Sequence, residues 1–200
     1  MAEELKLVTP LIGEQEPEET LSMDPKKFIM WLFIVSIIML FASQTSAYLV
    51  RRAEGNWLEF ALPQIFYYST AVLMLSSVTM HWAVLSAKKD NFNALKIAIS
   101  VTFTFGLAFL WMQFKGWGQL VYEMRVFFVG NPASSFFYVF TGLHGFHLIS
   151  GLCVLAVAFV SVFQMKIHAK SMRRIEICAT YWHFLDLLWI YLFAFLIYFR

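Results

Sequence analysis

Two segments of this sequence place histidines and carboxylates inside long apolar runs. His144 and His147 lie three residues apart in one segment, and Glu176, His183 and Asp186 lie seven and three residues apart in the other. Residues three, four and seven apart share one face of an α-helix, so each set forms a stripe. Such side chains could ligate a metal or a haem, relay protons, or hydrogen-bond one another between helices.

A metal or haem site fits these stripes poorly. Haem ligation requires histidines on separate helices at matched depth, whereas His144 and His147 are one helical turn apart. A di-metal carboxylate site needs four or more inward carboxylates and histidines. Only Glu176 and Asp186 supply carboxylates, and Glu176 lies at the edge of its helix. We therefore expect no catalytic, cofactor-binding or metal-ligating residue in this chain.

A structural role suits the stripes better. Ionisable side chains at membrane depth pair with one another or form proton relays. A carboxylate such as Asp186 can hold an imidazole in one tautomer, because the ring offers one donor and one acceptor. The pattern favours buried hydrogen bonds, with His183 and a carboxylate on its stripe holding the fourth and fifth helices in register. A proton relay is the second interpretation.

The composition places these stripes in a membrane. The chain has 200 residues, of which 60% are hydrophobic and 14% are charged. Its formal charge of +2 and its dispersed basic residues indicate no nucleic-acid partner. Five apolar stretches approach or exceed the roughly 20 residues of a spanning helix. The predicted fold is an all-α integral membrane protein, a bundle of five transmembrane helices at about residues 28–50, 65–87, 97–114, 136–164 and 177–199.

The segments outside these helices predict the orientation. Residues 1–26 are acidic and contain proline, so we expect a mobile cytoplasmic tail before a membrane domain at residues 27–200. With the N-terminus inside, ten of the 15 Lys and Arg residues lie on the cytoplasmic side. The C-terminus is therefore expected to be periplasmic. Cys153 and Cys178 fall in apolar segments and are expected to be small buried hydrophobes.

Two motifs resemble those of subunit III of the haem-copper oxidases, the family of cytochrome c and quinol oxidases. They are TGLHGFHLISG at residues 141–151 and EICATYWHFLDLLW at residues 176–189, in the order and at about the spacing of that family. The resemblance extends from about Lys27 to the end of the chain. With five helices, the chain is similar to the bacterial short form, which lacks the first two helices of the seven-helix type.

The resemblance implies a non-catalytic subunit of a proton-pumping oxidase of aerobic respiration in the bacterial cytoplasmic (inner) membrane. The subunit would pack against catalytic subunit I, with subunit II and other subunits in the complex, and would stabilise it or aid proton uptake or oxygen access. No cofactor is expected in this chain, and the haems and copper would belong to partner subunits. The electron donor and the haem types are properties of those chains. Membrane lipids are further partners, with bound phospholipid among them.

Carried over by residue, the family pattern implies a structural polar network and no metal ligands. Its members would be Thr141, His144, His147, Glu176, Tyr181, Trp182, His183 and Asp186. Two positions depart from the pattern. Ile37 stands where many members have a buried Glu, and Gln113 is not followed by the family's Glu-Tyr pair. The proton-related roles of those carboxylates are therefore not assigned to this chain.

Two other functions are alternatives. The first is the accessory membrane subunit of a nitric oxide reductase, which shares the five-helix size and parts of the last motif. The second is a small proton-coupled transporter that uses the His/Asp stripe as its relay. Transporters usually show inverted repeats and helix breaks near the midplane, and neither is visible in this sequence.

The distribution of basic residues generates a prediction about topology. A reporter enzyme that works only outside the cytoplasm should be active when fused after Arg200 and inactive when inserted beside Lys170. Reporter activity measured in whole cells checks this, and activity at Lys170 alone would reverse the orientation.

Overall fold

The computed structural model describes residues 25–163 and 169–199, and all regular secondary structure within these ranges is helical. The helices are α1 (Pro25–Ala53), α2 (Ile65–Lys88), α3 (Phe92–Tyr122), α4 (Pro132–Phe163) and α5 (Ala169–Tyr198). Each contains a stretch long and apolar enough to cross a bilayer. The predicted fold class, a bundle of five transmembrane helices, is confirmed.

The helices extend beyond the apolar stretches that predicted them. α3 starts five residues early because the Asn91 side chain accepts a hydrogen bond from the Ala94 backbone N–H and caps the helix. Its 31 residues span about 46 Å, close to the full thickness of a bilayer with its headgroups. α1 starts at Pro25, so the last two residues of the predicted tail are helical. Residues 1–24 and the predicted end of the fourth helix at residue 164 lie outside the described residues.

Helices α2, α3, α4 and α5 form a closed ring, and α1 packs on its outside. α2 packs against α3, α3 against α4 and α4 against α5, and α5 returns to α2 to close the ring. Residues 89–91 alone connect α2 to α3, which makes this pair a tight helical hairpin. α1 packs mainly against α4 and α5. α4 and α5 each pack against three other helices, and both hold α1 on the outside of the ring.

Two glycines, one on α3 and one on α4, leave room for large side chains of α5. A Cβ atom on Gly106 of α3 would lie 2.8 Å from Cη2 of Trp182, and one on Gly151 of α4 would lie 2.8 Å from Cδ1 of Leu185. Trp182 is fully buried. Small residues at helix contacts in membranes permit such packing, because they bring backbones and large side chains together. The indole of Trp182 thus occupies space that a larger residue at position 106 would fill.

This packing generates a prediction about stability. We expect Gly106→Val to destabilise the protein by about 1–3 kcal/mol, because the added side chain overlaps the Trp182 ring and Leu152. Gly118→Val on the same helix is the matched control, since a Cβ there meets nothing within 4 Å. Unfolding of the purified variants in mixed detergent micelles measures the difference. Equal losses at the two positions would contradict the contact between the Trp182 ring and Gly106.

Candidate functional site

The polar interior of the bundle is organised by two pairs of hydroxyl residues on α2. Ser69 and Thr70 form one pair, and Ser76 and Ser77 form the other, seven residues further along the helix. Because seven residues are close to two helical turns, both pairs occupy the same side of α2. This side faces α3 and α5.

Two tryptophans of α5 donate hydrogen bonds to this side of α2. Nε1 of Trp182 donates to Oγ of Ser76 at 3.0 Å, and Nε1 of Trp189 donates to Oγ1 of Thr70 at 2.9 Å. Both indoles are buried. A buried indole N–H usually finds an acceptor, and here the two acceptors lie nearly two turns apart. These bonds fix the register of the antiparallel helices α2 and α5.

His183 adds a third contact between the same two helices. Its Nδ1 lies 2.7 Å from Oγ of Ser77. The expectation that His183 and a carboxylate hold α4 and α5 in register is therefore corrected, because its hydrogen-bond partner is on α2. Consecutive helical residues point about 100° apart. Trp182 and His183 consequently lie on either side of the face of α5 that contacts α2. Trp182 reaches the hydroxyl of Ser76, and His183 reaches the hydroxyl of Ser77.

Other bonds join α4 to its neighbours. Oη of Tyr181 on α5 lies 2.7 Å from Oγ of Ser150 on α4. Nε1 of Trp117 on α3 donates to Oγ1 of Thr141 at 3.1 Å. Nδ1 of His147 lies 2.7 Å from the Leu143 carbonyl oxygen, so this histidine donates to its own helix. Tyr181 and Thr141 thus link helices, whereas the imidazole of His147 bonds within α4.

Glu176 lies apart from the interior. Its carboxylate is 3.9 Å from Nζ of Lys27, and both side chains are nearly half exposed. Glu176 lies near the start of the membrane-spanning part of α5, Arg174–Tyr198. The eight residues of the predicted network therefore make separate local contacts and do not form one connected chain of hydrogen bonds.

His144 and Asp186 are buried without a well-formed hydrogen bond to the described residues. Both ring nitrogens of His144 and both carboxylate oxygens of Asp186 lack such a bond, although the Ser77 side chain lies close enough to interact with Asp186. The His144 ring packs against the Trp189 ring, with centroids 4.9 Å apart, and against Phe109 at 6.0 Å. The expected carboxylate partner of a buried histidine is not found at His144, whose contacts are aromatic.

A metal centre finds no support in these contacts. Within residues 25–163 and 169–199, no three His, Cys, Asp or Glu side chains are grouped closely enough to hold a metal ion. Cys178 is buried as expected, but Cys153 is exposed on the outer surface of α4, which corrects the expectation for that residue. The two cysteines are both free.

Sequence reasoning missed the hydroxyl residues that bind the α5 side chains. Ser69, the remaining hydroxyl residue of the two pairs, instead accepts a hydrogen bond from Nε2 of Gln113 on α3, at 3.2 Å. The signal in the sequence is the repeat of adjacent hydroxyl residues at 69–70 and 76–77, matched by Trp182 and Trp189, also seven residues apart. Serine and threonine carry little weight in hydropathy, so hydropathy alone does not indicate that this repeat forms an interface.

The contact between Ser77 and His183 generates a prediction about energetic coupling. In a double-mutant cycle of Ser77→Ala and His183→Ala, we expect a coupling free energy of about 0.6 kcal/mol, the average for hydrogen bonds between membrane helices. Ser77→Ala combined with Ser150→Ala is the control and should be additive, because these hydroxyls bond different partners. Detergent unfolding of the four proteins in each cycle provides the measurement. Additivity of the first pair would show that the histidine and the serine do not stabilise each other.

Comparison with known proteins identifies the family. The sequence model of the family described as Cytochrome c oxidase subunit III matches residues 19–200. Cytochrome c oxidase subunit 3 of Alkalihalophilus pseudofirmus is 29% identical over 183 residues, which cover 89% of each chain. Cytochrome bo(3) ubiquinol oxidase subunit 3 of Pseudomonas aeruginosa is 32% identical over 175 residues, covering 84% of this chain and 81% of the relative.

A third relative matches to a similar extent. Cytochrome c oxidase subunit 3 of Thermostichus vulcanus is 31% identical over 173 residues, covering 82% of this chain and 83% of the relative. These alignments include most of the five-helix domain. The five helices able to span a membrane, together with the match to oxidase subunits of bacteria, make the chain a multi-pass protein of the bacterial cytoplasmic membrane. The chain belongs to the cytochrome c oxidase subunit III family of the haem-copper oxidases.

Proposed function

We propose that this chain is a non-catalytic membrane subunit that packs against subunit I of a proton-pumping terminal oxidase in aerobic respiration and stabilises it. Membership of the subunit III family over residues 19–200 is the observation that carries the proposal. The family makes the chain an accessory subunit of a haem-copper oxidase. The relatives named above are subunits of cytochrome c and ubiquinol oxidases, which favours an oxidase over a nitric oxide reductase.

The contacts inside the bundle support a structural role. The indoles of Trp182 and Trp189 and the hydroxyl of Tyr181 are engaged by side chains of neighbouring helices. Their hydrogen bonds join helices and leave these groups committed to the bundle. We assign the haems and the copper of the complex to the partner subunits.

The outer surface supports packing in a larger complex. Large apolar side chains are exposed on all five helices, among them Met39 on α1, Val78 on α2, Trp111 on α3, Phe146 on α4 and Leu187 on α5. In a membrane these side chains contact lipid or another subunit. We propose that part of this surface packs against subunit I, that subunit II and other subunits complete the complex, and that its apolar character also aids oxygen access.

Ile37 supports packing over proton transfer at its position. Ile37 of α1 packs against the rest of the hydrophobic core, and only 2% of its surface is exposed. An alkyl side chain cannot exchange a proton, so α1 contributes packing where relatives with a glutamate could contribute an acid. We propose that any aid to proton uptake is given on the cytoplasmic side of the bundle. Lys27 lies at the start of α1, and Lys88 and Lys89 lie at the C-terminal end of α2, on the same side of the bundle. This placement is consistent with the proposed orientation.

Isolation of the complex tests the proposal. An affinity tag on this chain should retain oxidase subunits I and II from gently solubilised membranes, together with the haem spectrum of the oxidase. Mass spectrometry of the retained subunits makes the identification. Retention of nitric oxide reductase subunits, or of no haem protein, would overturn the assignment.

A prediction about assembly follows from the buried contacts of α5. We expect Asp186→Ala or His183→Ala to lower the amount of this subunit in the purified oxidase, because the first change removes a buried carboxyl group that lies close to the Ser77 side chain and the second leaves the Ser77 hydroxyl without its partner on α5. The loss of stability should be about 0.6–3 kcal/mol. Enzyme that keeps the subunit should consume oxygen at a near-normal initial rate. Subunit occupancy and oxygen consumption are measured in the same preparation.

Glu123→Ala is the control for this prediction, since Glu123 is an exposed carboxylate at the end of α3. It should change neither occupancy nor rate. Full occupancy of Asp186→Ala together with an immediate collapse of oxygen consumption would place Asp186 on a catalytic or proton-transfer path. That result would contradict the structural role.

A further inference from the structure

A pocket of about 400 Å³ opens between α1, α2 and α5. Its charged and histidine side chains are Lys27 of α1, His81 and Lys88 of α2, and Glu176 and His183 of α5. These residues lie near the start of α1, the end of α2 and the start of the membrane-spanning part of α5. The pocket is therefore at the end of the bundle where residues 1–24 join α1.

Lysines from two helices give this pocket a positive charge. With neutral histidines, two lysines and one glutamate leave a net charge of +1. The ion pair between Lys27 and Glu176 is long, at 3.9 Å, and both side chains are nearly half exposed, so it holds Lys27 only weakly. Lys88 is exposed at the end of α2. An acidic ligand in the pocket can thus contact a lysine of α1 and a lysine of α2 together.

The segment that precedes α1 has the opposite charge. Residues 1–24 contain seven of the 13 acidic residues of the chain and one lysine, so their side chains have a net charge of −6. Four of these acidic residues lie within residues 14–19, EQEPEE, which we call the acidic run. Acidic residues after position 24 all occur singly. The charge of the acidic run therefore complements the charge of the pocket.

The covalent connection to α1 keeps the acidic run close to the pocket. Six peptide units separate Glu19 from Pro25, the first residue of α1, and when extended they span about 20 Å. A helix with its side chains is about 10 Å wide, so this length reaches from α1 to the end of α2. A short tether gives an effective concentration of order millimolar. Weak individual ion pairs are then sufficient for binding.

The apolar part of the pocket also matches the segment. Trp31 of α1, Val84 of α2 and Ile177 of α5 belong to its apolar wall. The acidic run has apolar neighbours on both sides, with Ile12 before it and Leu21 after it. A peptide that combines carboxylates with flanking apolar side chains satisfies both parts of the lining.

We propose that the acidic run binds in this pocket and forms ion pairs with Lys27 of α1 and Lys88 of α2. Part of the expected mobile tail is then held against the bundle. The contact links α1 to α2, which pack against each other less than either packs against α5. It goes beyond the assembly role proposed above, because it gives α1 a second attachment to the ring and keeps other anionic ligands out of the pocket.

Disulfide formation in the purified complex tests the contact. Gln15 in the acidic run and Val84 in the pocket wall are each replaced by cysteine, which leaves every charge of the run and the pocket in place. We expect Gln15→Cys to join Val84→Cys several-fold faster than it joins Leu85→Cys. Leu85 is the matched control, since it is exposed beside Val84 but does not line the pocket. Peptide mapping identifies the disulfide, and equal rates at the two positions would overturn the proposal.

Charge changes distinguish ion pairing from random encounters of the tethered segment. Lys88→Gln should slow the disulfide between Gln15→Cys and Val84→Cys about two- to fivefold, the effect of one exposed ion pair. About 1 M NaCl, at which the screening length is about 3 Å, should slow it as well. Lys89→Gln is the control, because Lys89 is exposed but does not line the pocket. A rate that Lys88→Gln leaves unchanged, or that Lys89→Gln lowers equally, would contradict the ion pair.

Amine labelling identifies the occupant of the pocket. Acetylation of Lys88 in the purified complex should be slower in the wild type than in a variant whose four glutamates of the acidic run are replaced by glutamine. Acetylation of Lys89 should be the same in both. The difference at Lys88 should persist after delipidation of the complex. Equal acetylation of Lys88 in the two proteins would contradict the proposal, and protection lost on delipidation alone would place an anionic lipid in the pocket instead of the acidic run.

Discussion

The hydrogen bonds from Trp182 and Trp189 to the hydroxyls of Ser76 and Thr70 are the interaction on which the rest of this bundle depends. Lipid chains are as apolar as leucine, so apolar surface alone gives helices little reason to associate within a membrane. Specific hydrogen bonds and close packing must provide that reason. In this protein both come from the same two side chains, since each indole combines a large buried ring with one donor.

The size of the two indole rings explains which residues surround them. Trp182 requires the space at Gly106, and Trp189 is enclosed by Phe109 of α3 and His144 of α4. α3 and α4 therefore owe part of their position to α5, although each is also held by its neighbour in sequence. The ring of four helices closes because α5 presents its indoles to α2 and its aromatic faces to the other two.

The fold was predictable from sequence because hydropathy responds directly to the hydrocarbon thickness. The spacing of the polar residues identifies the residues of the site as a set, but it does not identify their hydrogen-bond partners. Periodicity gives the side of a helix on which His183 lies and does not say which neighbour that side meets. Ser69 illustrates the second difficulty, because its hydroxyl also donates to the Phe66 carbonyl of its own helix. Because serine hydroxyls often bond within their own helix, the sequence does not indicate that Ser69 also accepts a hydrogen bond from Gln113.

The attachment of α1 has a consequence for the order of events during synthesis. Oη of Tyr48 donates to the backbone carbonyl of Phe199, 151 residues later, and Oη of Tyr191 donates to Oγ1 of Thr45 across 146 residues. At typical translation rates this separation corresponds to roughly 8–30 s. α1 must therefore remain in contact with lipid or with the insertion machinery until α5 has been made. The contact between α1 and α5 is thus a late event in the formation of the bundle.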